Sequence, residues 1–237
     1  MAKIDLFKIS HTYNPEDNNP IYALNPFSMT WENGKRYAIL GPSGCGKTTM
    51  LNIVSGLVQP SKGKVLFDDR DVTDLKTEKR NISQVFQFPV IYNTMTVYDN
   101  LAFPLKCRDF KKDKIDERVK SVSDTLNLSD FLNFPARKLT ADQKQLISLG
   151  RGLVREDVAA VLMDEPLTVI DPDLKFRLRR NLKEINEQYK TTLVYVTHDQ
   201  NEAMTFADNI IVMDQGEIVQ IGLPKELFEK PKTTFVG

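Results

Sequence analysis

Gly41-Pro42-Ser43-Gly44-Cys45-Gly46-Lys47-Thr48 is the stretch of this chain whose residue types and spacing point most directly to chemistry. It fits G-x-x-x-x-G-K-[ST], in which glycines let backbone N–H groups turn inward around phosphate oxygens. Lys47 can reach the β- and γ-phosphates of a nucleotide, and the Thr48 hydroxyl can ligate Mg²⁺. Thr49 follows on the same helix start, where the partial positive charge of a helix N-terminus favours anions. The context agrees: Arg36 to Leu40 reads as a buried strand, and Thr48 to Gly56 as a helix. A glycine-rich turn with a chance lysine lacks those flanks. Cys45, inside the loop, reads as a small residue that fits under the phosphates. The sharper alternative is a thiol activated by the same positive field.

Two further strand ends carry reactive side chains. Ala159 to Met163 runs into Asp164-Glu165-Pro166. One carboxylate there can hold hydrated Mg²⁺, and the next can orient and polarise an attacking water. By itself such an ending is most often a turn; the phosphate loop gives it meaning. Thr192 to Val196 runs into Thr197-His198-Asp199, and His198 is one of only two histidines, the other being His11. Its strand-end position places it at the ligand-binding edge of an open α/β sheet. We read it as a γ-phosphate sensor that also positions water.

These residues need a parallel sheet to bring them together. Short apolar runs at 36–40, 82–86, 159–163, 192–196 and 210–213 read as buried strands, most followed by helical patterns. Strand-then-helix repetition implies a parallel sheet with helices on its faces. Asp214 to Glu217 reads as a hairpin turn into Ile218 to Ile221. The first forty residues, and Gly63 to Asp74, read as short strands and turns. The stretch from Phe88 to Gly152 reads as mainly helical, with Ile115, Val119, Val122 and Leu126 on one face of a helix from Asp113 to Leu128.

Composition bounds the rest. The 237 residues carry 32 basic and 32 acidic side chains, so net charge gives no footprint for sequence-independent nucleic-acid binding. Two cysteines, Cys45 and Cys107, make no disulfide framework and fit reduced thiols. No apolar run approaches the roughly 20 residues of a spanning helix. The start lacks the apolar region of a signal peptide. A soluble cytosolic protein is the expectation.

Taken together, these residues resemble the ATP-binding cassette (ABC) family over essentially the whole chain. Tyr13, in Ile9-Ser10-His11-Thr12-Tyr13, looks like the family's aromatic that stacks on adenine. Gln87, ending Gln84-Val85-Phe86-Gln87, looks like the glutamine that touches Mg²⁺ and water and links the core to a helical subdomain. Pro166 to Asp171 resembles the segment that crosses to the opposite subunit, with Thr168, Val169 and Ile170 replacing more usual residues. Asp171-Pro172 also reads as a helix cap followed by proline at the first helical position. Leu139-Thr140-Ala141-Asp142-Gln143 stands where the family signature reads Leu-Ser-Gly-Gly-Gln. Beyond it Leu146 replaces arginine, and Gly150 and Gly152 replace alanines.

The resemblance implies an α/β fold with a P-loop (RecA-like) core and parallel sheet, an antiparallel β subdomain and a helical subdomain. The core with its β subdomain would take 1–87 and 153–223, and the helical subdomain 88–152. Residues 224–237 would begin an extension that this sequence cuts short. ATP and Mg²⁺ are the implied ligands. The implied catalytic residues are Glu165, His198 and Gln87, and the metal would be held by Thr48, Gln87 and Asp164. Nucleotide contacts would come from Tyr13, Gly41, Pro42, Ser43, Gly44, Cys45, Gly46, Lys47, Thr48, Thr49 and Asp164. Thr140, Gln143 and Asp171 would add contacts across a dimer.

Val97 to Leu105 and Thr197 to Met204 are similar to the sugar and polyol importers. Gln87 to Tyr92 and Leu139 to Arg155 look most like bacterial glycerol-import ATPases. The implied partners are a second ATP-binding subunit, two membrane-spanning permease subunits and, indirectly, a solute-binding protein, with no nucleic acid. The implied location is the cytoplasmic face of the bacterial inner membrane. The altered signature leads to the expectation of a heterodimer with unequal sites. An exporter ATPase, or an ABC ATPase of repair or translation, is the alternative; neither the long coiled coil of repair types nor the paired cassettes of ribosomal types is present.

Overall fold

A computed structural model describes residues 2–17 and 19–237. The strands are β1 (Ile4–Thr12), β2 (Tyr22–Trp31), β3 (Arg36–Leu40), β4 (Lys62–Phe67), β5 (Arg70–Asp71), β6 (Ser83–Val85), β7 (Ala160–Asp164), β8 (Thr192–Thr197), β9 (Asn209–Asp214) and β10 (Glu217–Gly222). The helices are α1 (Lys47–Ser55), α2 (Thr77–Arg80), α3 (Val97–Lys106), α4 (Lys112–Thr125), α5 (Ala141–Leu153), α6 (Pro172–Tyr189), α7 (Gln200–Phe206) and α8 (Pro224–Glu229).

Six strands form the main sheet in the order β10-β9-β3-β8-β7-β6. Neighbours from β9 to β6 run parallel, and β10 closes one edge as an antiparallel hairpin partner of β9. β3, β7 and β8 are near-continuous apolar runs because both faces of the sheet are covered. Non-consecutive strands lie side by side, so the C-terminal ends of β3, β7 and β8 share one edge. Leu40 pairs with Thr197, and Asp164 with Val196. A second sheet, β2-β1-β4-β5, is antiparallel. Its strands β1 and β2, of nine and ten residues, are longer than the short segments expected from the sequence. Register shifts on both sides of Ile9, with Lys8 at φ 49°, break the alternation that marks a strand.

Helix α1 carries its apolar residues all round, including Met50, Leu51, Ile53 and Val54, because it is buried between the two sheets. It ends at Gly56, whose φ of 81° gives a left-handed cap. A second core packs α3, α4 and α5 against one another and against α6, α7 and the other face of the main sheet. Helix α4 stops at Thr125, short of the expected Leu128. Asn127 turns left-handed (φ 55°), and the Leu128 N–H bonds back to the Ser123 carbonyl. Leu126 and Leu128 remain buried, which is why their spacing imitated a longer helix. No helix of the described residues is long and apolar enough to cross a membrane.

Candidate nucleotide site

The phosphate loop leaves β3 and enters α1 with both special backbone positions occupied by glycine. Gly44 and Gly46 sit at φ 81° and 104°. A Cβ at Gly46 would lie 2.4 Å from the Ala23 carbonyl oxygen, and one at Gly41 would lie 2.2 Å from that of Met213. The loop is therefore seated directly on backbone from β2 and β9. The β9–β10 turn supports it from below: the Gly216 N–H donates to the Cys45 carbonyl, and the Asn25 N–H to the Gly216 carbonyl.

Lys47 is buried and donates through Nζ to the carbonyls of Gly41 (2.7 Å) and Pro42 (2.8 Å). Those carbonyls hold the ammonium in place at the mouth of the loop. Cys45 is buried too, and burial pushes its thiol pKa up despite the nearby Lys47. This favours the space-filling reading of Cys45 over the activated thiol. At the far end of α1 the Arg80 guanidinium, almost fully buried, donates to the carbonyls of Ile53 (2.7 Å) and Val54 (3.1 Å). A cation there complements the helix dipole whose positive end faces the loop.

The three strand ends converge as their spacing predicts. Thr48 Oγ1 donates to Asp164 Oδ2 at 2.8 Å. Burial raises the Asp164 pKa, with the Glu165 charge adding to it and Thr48 and Lys47 opposing. The hydroxyl of Thr48, the carboxylate of Asp164 and the amide of Gln87 are hard oxygen donors suited to Mg²⁺. Glu165 adopts a left-handed backbone (φ 44°), a conformation that costs of order 1–3 kcal/mol in a non-glycine residue and clusters at functional sites. Three side chains meet its Oε2: Gln87 Nε2 at 3.4 Å, Thr168 Oγ1 at 3.3 Å and His198 Nδ1 at 3.2 Å.

Tyr13, Ser43, Gly44, Gly46, Lys47, Thr48, Thr49, Gln87, Glu165 and His198 line one cleft of about 540 Å³, together with Ala23 and Thr168. The tyrosine closes one end, its hydroxyl 3.1 Å from Thr49 Oγ1. Gly41, Cys45 and Asp164 are buried and do not line this cleft, and Pro42 is exposed outside it; Gly41 and Pro42 line a neighbouring cleft that also has His198 in its wall. Thr140, Gln143 and Asp171 are elsewhere. Thr140 and Gln143 form a reciprocal capping box on α5. Asp171 caps α6, accepting from Asp173 and Leu174, and Pro172 opens that helix.

Several contributors were not among the site residues expected from the sequence. Thr168 reaches Glu165 from the segment after Pro166, and Ala23 supplies a wall of the cleft. Gln145, fully buried on α5, donates through Nε2 to the carbonyls of Phe86 (3.2 Å) and Pro166 (2.9 Å). It ties together the segments that carry Gln87 and Glu165. An amide within the apolar stripe Leu146, Ile147 and Leu149 was the available signal.

The sequence profile of the family described as ABC transporter matches residues 24–168, more than half of the chain. The chain belongs to the ABC transporter family. It is 43% identical, over 92% of its length, to a trehalose/maltose import ATP-binding protein of Thermococcus litoralis. It is 41% identical, over its whole length, to an sn-glycerol-3-phosphate import ATP-binding protein of Agrobacterium fabrum. The chain spans 60% and 66% of the lengths of those two relatives. Its structure is similar to that of an ATP-binding cassette solved as a dimer bound to ADP and Pi (TM-score 0.83, 28% identity, 93% of this chain and 98% of that one). It is also similar to cbiO1 of Clostridium perfringens, part of an ABC transporter complex (TM-score 0.84, 26% identity, 96% and 90% covered). The cassette fold, with its parallel core, antiparallel β sheet and helical region, is thus the one expected from the sequence.

Proposed function

We propose that this ABC chain is the ATP-hydrolysing subunit of an importer for glycerol or a related polyol, sugar or sugar phosphate. It would work at the cytoplasmic face of the membrane, through separate membrane-spanning subunits. The observation that carries this reading is the meeting of Gln87, Thr168 and His198 on one oxygen of Glu165, beside Lys47 and the Thr48–Asp164 pair.

In this mechanism Tyr13 stacks on adenine, and the loop N–H groups of Ser43 to Thr48 take the phosphates. Lys47 moves from the carbonyls of Gly41 and Pro42 to the β- and γ-phosphate oxygens. Thr48, Asp164 and Gln87 would hold Mg²⁺, which neutralises the charge of those oxygens. Glu165 orients a water and accepts its proton as the water oxygen bonds to the γ-phosphorus and the bond from that phosphorus to the β–γ bridging oxygen breaks, so that the bridging oxygen leaves on ADP and the γ-group leaves as inorganic phosphate. His198, 58% exposed at its side chain and adjacent to Glu165, contacts the γ-phosphate and keeps the carboxylate aimed.

Thr140, Gln143 and Asp171 lie outside the cleft, which supports their use against the ATP of a second subunit. There the N-terminus of α5 would face phosphate. Ala141 and Asp142 occupy its first turn, and a carboxylate at that position offsets the helix's positive end. We infer that the partner is a different ATP-binding subunit with a signature better suited to phosphate, and that this chain's phosphate loop serves the faster site. The exposed Phe88, Val90 and Tyr92, just beyond Gln87, are the surface we assign to the permease subunits. The names of the relatives support the solute class.

The test is reconstitution in lipid vesicles with the co-purifying subunits, measuring ATP-dependent uptake of labelled glycerol, glycerol phosphate and maltose. Uptake of one of them, lost on Glu165→Gln and reduced less by the equivalent change in the partner, is expected. Equal losses, or transport with this chain as the only ATPase, contradict the unequal-site reading. ATP hydrolysis without uptake of any of the three contradicts the solute assignment.

A further inference from the structure

His11 is a buried polar residue that the mechanism above leaves unused. It sits at the end of β1, opposite Leu24 of β2, and is 7% exposed. Its Nδ1 lies 3.3 Å from Ser61 Oγ, just before β4. Ser61 also accepts the Thr12 N–H at 3.1 Å, so it holds the end of β1 through two consecutive residues. The other ring nitrogen, Nε2, is buried without a hydrogen-bond partner among the described residues. Such an atom calls for an explanation, because buried polar groups are otherwise paired. Burial lowers the His11 pKa and keeps the ring neutral.

The ring also packs against an aromatic neighbour. Its centroid is 4.5 Å from that of Tyr13, and the two planes are at 89°. Perpendicular aromatic pairs at this separation are attractive and directional. Tyr13 needs such a contact. It follows β1 directly, is 60% exposed, and among the described residues its side chain is hydrogen-bonded through the hydroxyl to Thr49 Oγ1. That bond anchors the tip of the ring to α1 and leaves the ring plane free to turn about it. The perpendicular contact with His11 removes that freedom. Tyr13 is then held at both ends, by the phosphate-loop helix and by β1, in the orientation in which it lines the cleft.

We propose that His11 is a positioning residue for nucleobase binding: it sets the plane of Tyr13, and so presents a preoriented aromatic face to the base. The proposal rests on the reading of Tyr13 as the base-stacking residue. It is specific to the base, because the contact acts on the ring plane of Tyr13 and not on Lys47 or the loop N–H groups that would take the phosphates.

The experiment compares ATP with inorganic tripolyphosphate, which has the phosphates and no base, by titration calorimetry on the 237-residue chain. His11→Gln keeps a polar partner for Ser61 and removes the aromatic ring; His11→Phe keeps an aromatic ring. His11→Gln should weaken ATP binding about two- to tenfold, the range of an aromatic pair, and leave tripolyphosphate affinity unchanged. His11→Phe should restore ATP affinity to within about twofold of the unsubstituted chain. Adding His11→Gln to Tyr13→Ala should cost nothing further. Unchanged ATP affinity in His11→Gln, equal losses for ATP and tripolyphosphate, or a loss that persists in the Tyr13→Ala background overturns the proposal. If Tyr13→Ala itself leaves ATP affinity unchanged, the stacking role of Tyr13 fails, and that of His11 falls with it.

Discussion

Replacing Glu202 by alanine should lower both stability and turnover while leaving ATP affinity nearly intact. Glu202 lies in the first turn of α7 and is buried. Its carboxylate accepts from the Tyr195 hydroxyl (2.9 Å) and the Thr197 hydroxyl (2.8 Å) of β8. On the α6 side it faces Arg179 at 3.4 Å and Lys175 at 3.7 Å. Burial first, and the Glu202 charge next, raise the Tyr195 pKa well above its ordinary value, so the phenol remains a donor. Removing the carboxylate strands the nearly buried Arg179 charge and leaves two buried hydroxyls short of an acceptor. Breaking a buried ion pair from one side costs about 3–5 kcal/mol. For a chain of this size each kcal/mol is about 2–4 °C, so the melting temperature should fall by roughly 6–20 °C. The same carboxylate holds Thr197, whose hydroxyl accepts the Asp199 N–H, and these two residues flank His198. Loosening them should reduce kcat several-fold, while Tyr13 and Lys47 keep ATP affinity within about twofold. Scanning calorimetry and nucleotide titration on the same preparation read both effects. A melting temperature within about 2 °C of the unsubstituted protein would refute the energetic argument, and an unchanged kcat would refute the link to His198.

Restoring the alanines expected in α5 should not be equivalent at the two positions. Each gains about 1 kcal/mol of helix propensity. At Gly150 the new Cβ meets terminal methyls of the flexible Leu101 at 2.5 Å and Leu126 at 3.1 Å, with Val122 Cγ1 at 3.4 Å, and those leucines can give way, so Gly150→Ala should be neutral to within about 1 kcal/mol in urea denaturation. At Gly152 it meets a methyl of the stiff, β-branched Val85 at 2.5 Å, and Gly152→Ala should lose about 1–2 kcal/mol after the propensity gain. A stabilised Gly152→Ala would contradict this packing argument. For Asp208, burial works to raise the pKa, but bonds from the Arg36 backbone and guanidinium win and hold it low. A depressed folded-state pKa means stability is present above the unfolded value, about 3.9, and lost as pH falls through the lower folded value. Asp208→Asn should therefore cost about 1 kcal/mol at neutral pH, and the gap between its urea midpoint and that of the unsubstituted protein should narrow steadily as pH falls below the unfolded carboxylate value. A gap that does not narrow as the pH falls would assign the effect to something other than ionisation.

The parts of this site that were legible in the sequence are those where chemistry and backbone geometry demand fixed spacings. The phosphate loop needs glycines at φ 81° and 104° and a helix behind them, and it shows both. Strands β3, β7 and β8 are covered on both faces, so their unbroken apolar runs mark where Asp164, Glu165 and His198 begin. The supporting residues were hidden because their roles are set by tertiary neighbours. Arg80 stands in the charged run Thr77 to Arg80 and looks solvated, yet it is buried against the end of α1. Gln145 bonds carbonyls far away in the chain, and no local pattern encodes that. The bulges around Ile9 removed the alternation that would have revealed the full length of β1, and with it the buried place of His11.

The central claim is that Glu165 activates water on ATP held by the loop around Lys47. The most direct measurement is of ATP binding and ATP hydrolysis by Glu165→Gln in the assembled transporter. The substitution keeps the size of the side chain and its contacts with Gln87 and Thr168, and removes the proton acceptor. ATP affinity within about twofold of the unsubstituted protein, with turnover reduced by about a hundredfold or more, is the predicted result. Hydrolysis at close to the unsubstituted rate would contradict the account.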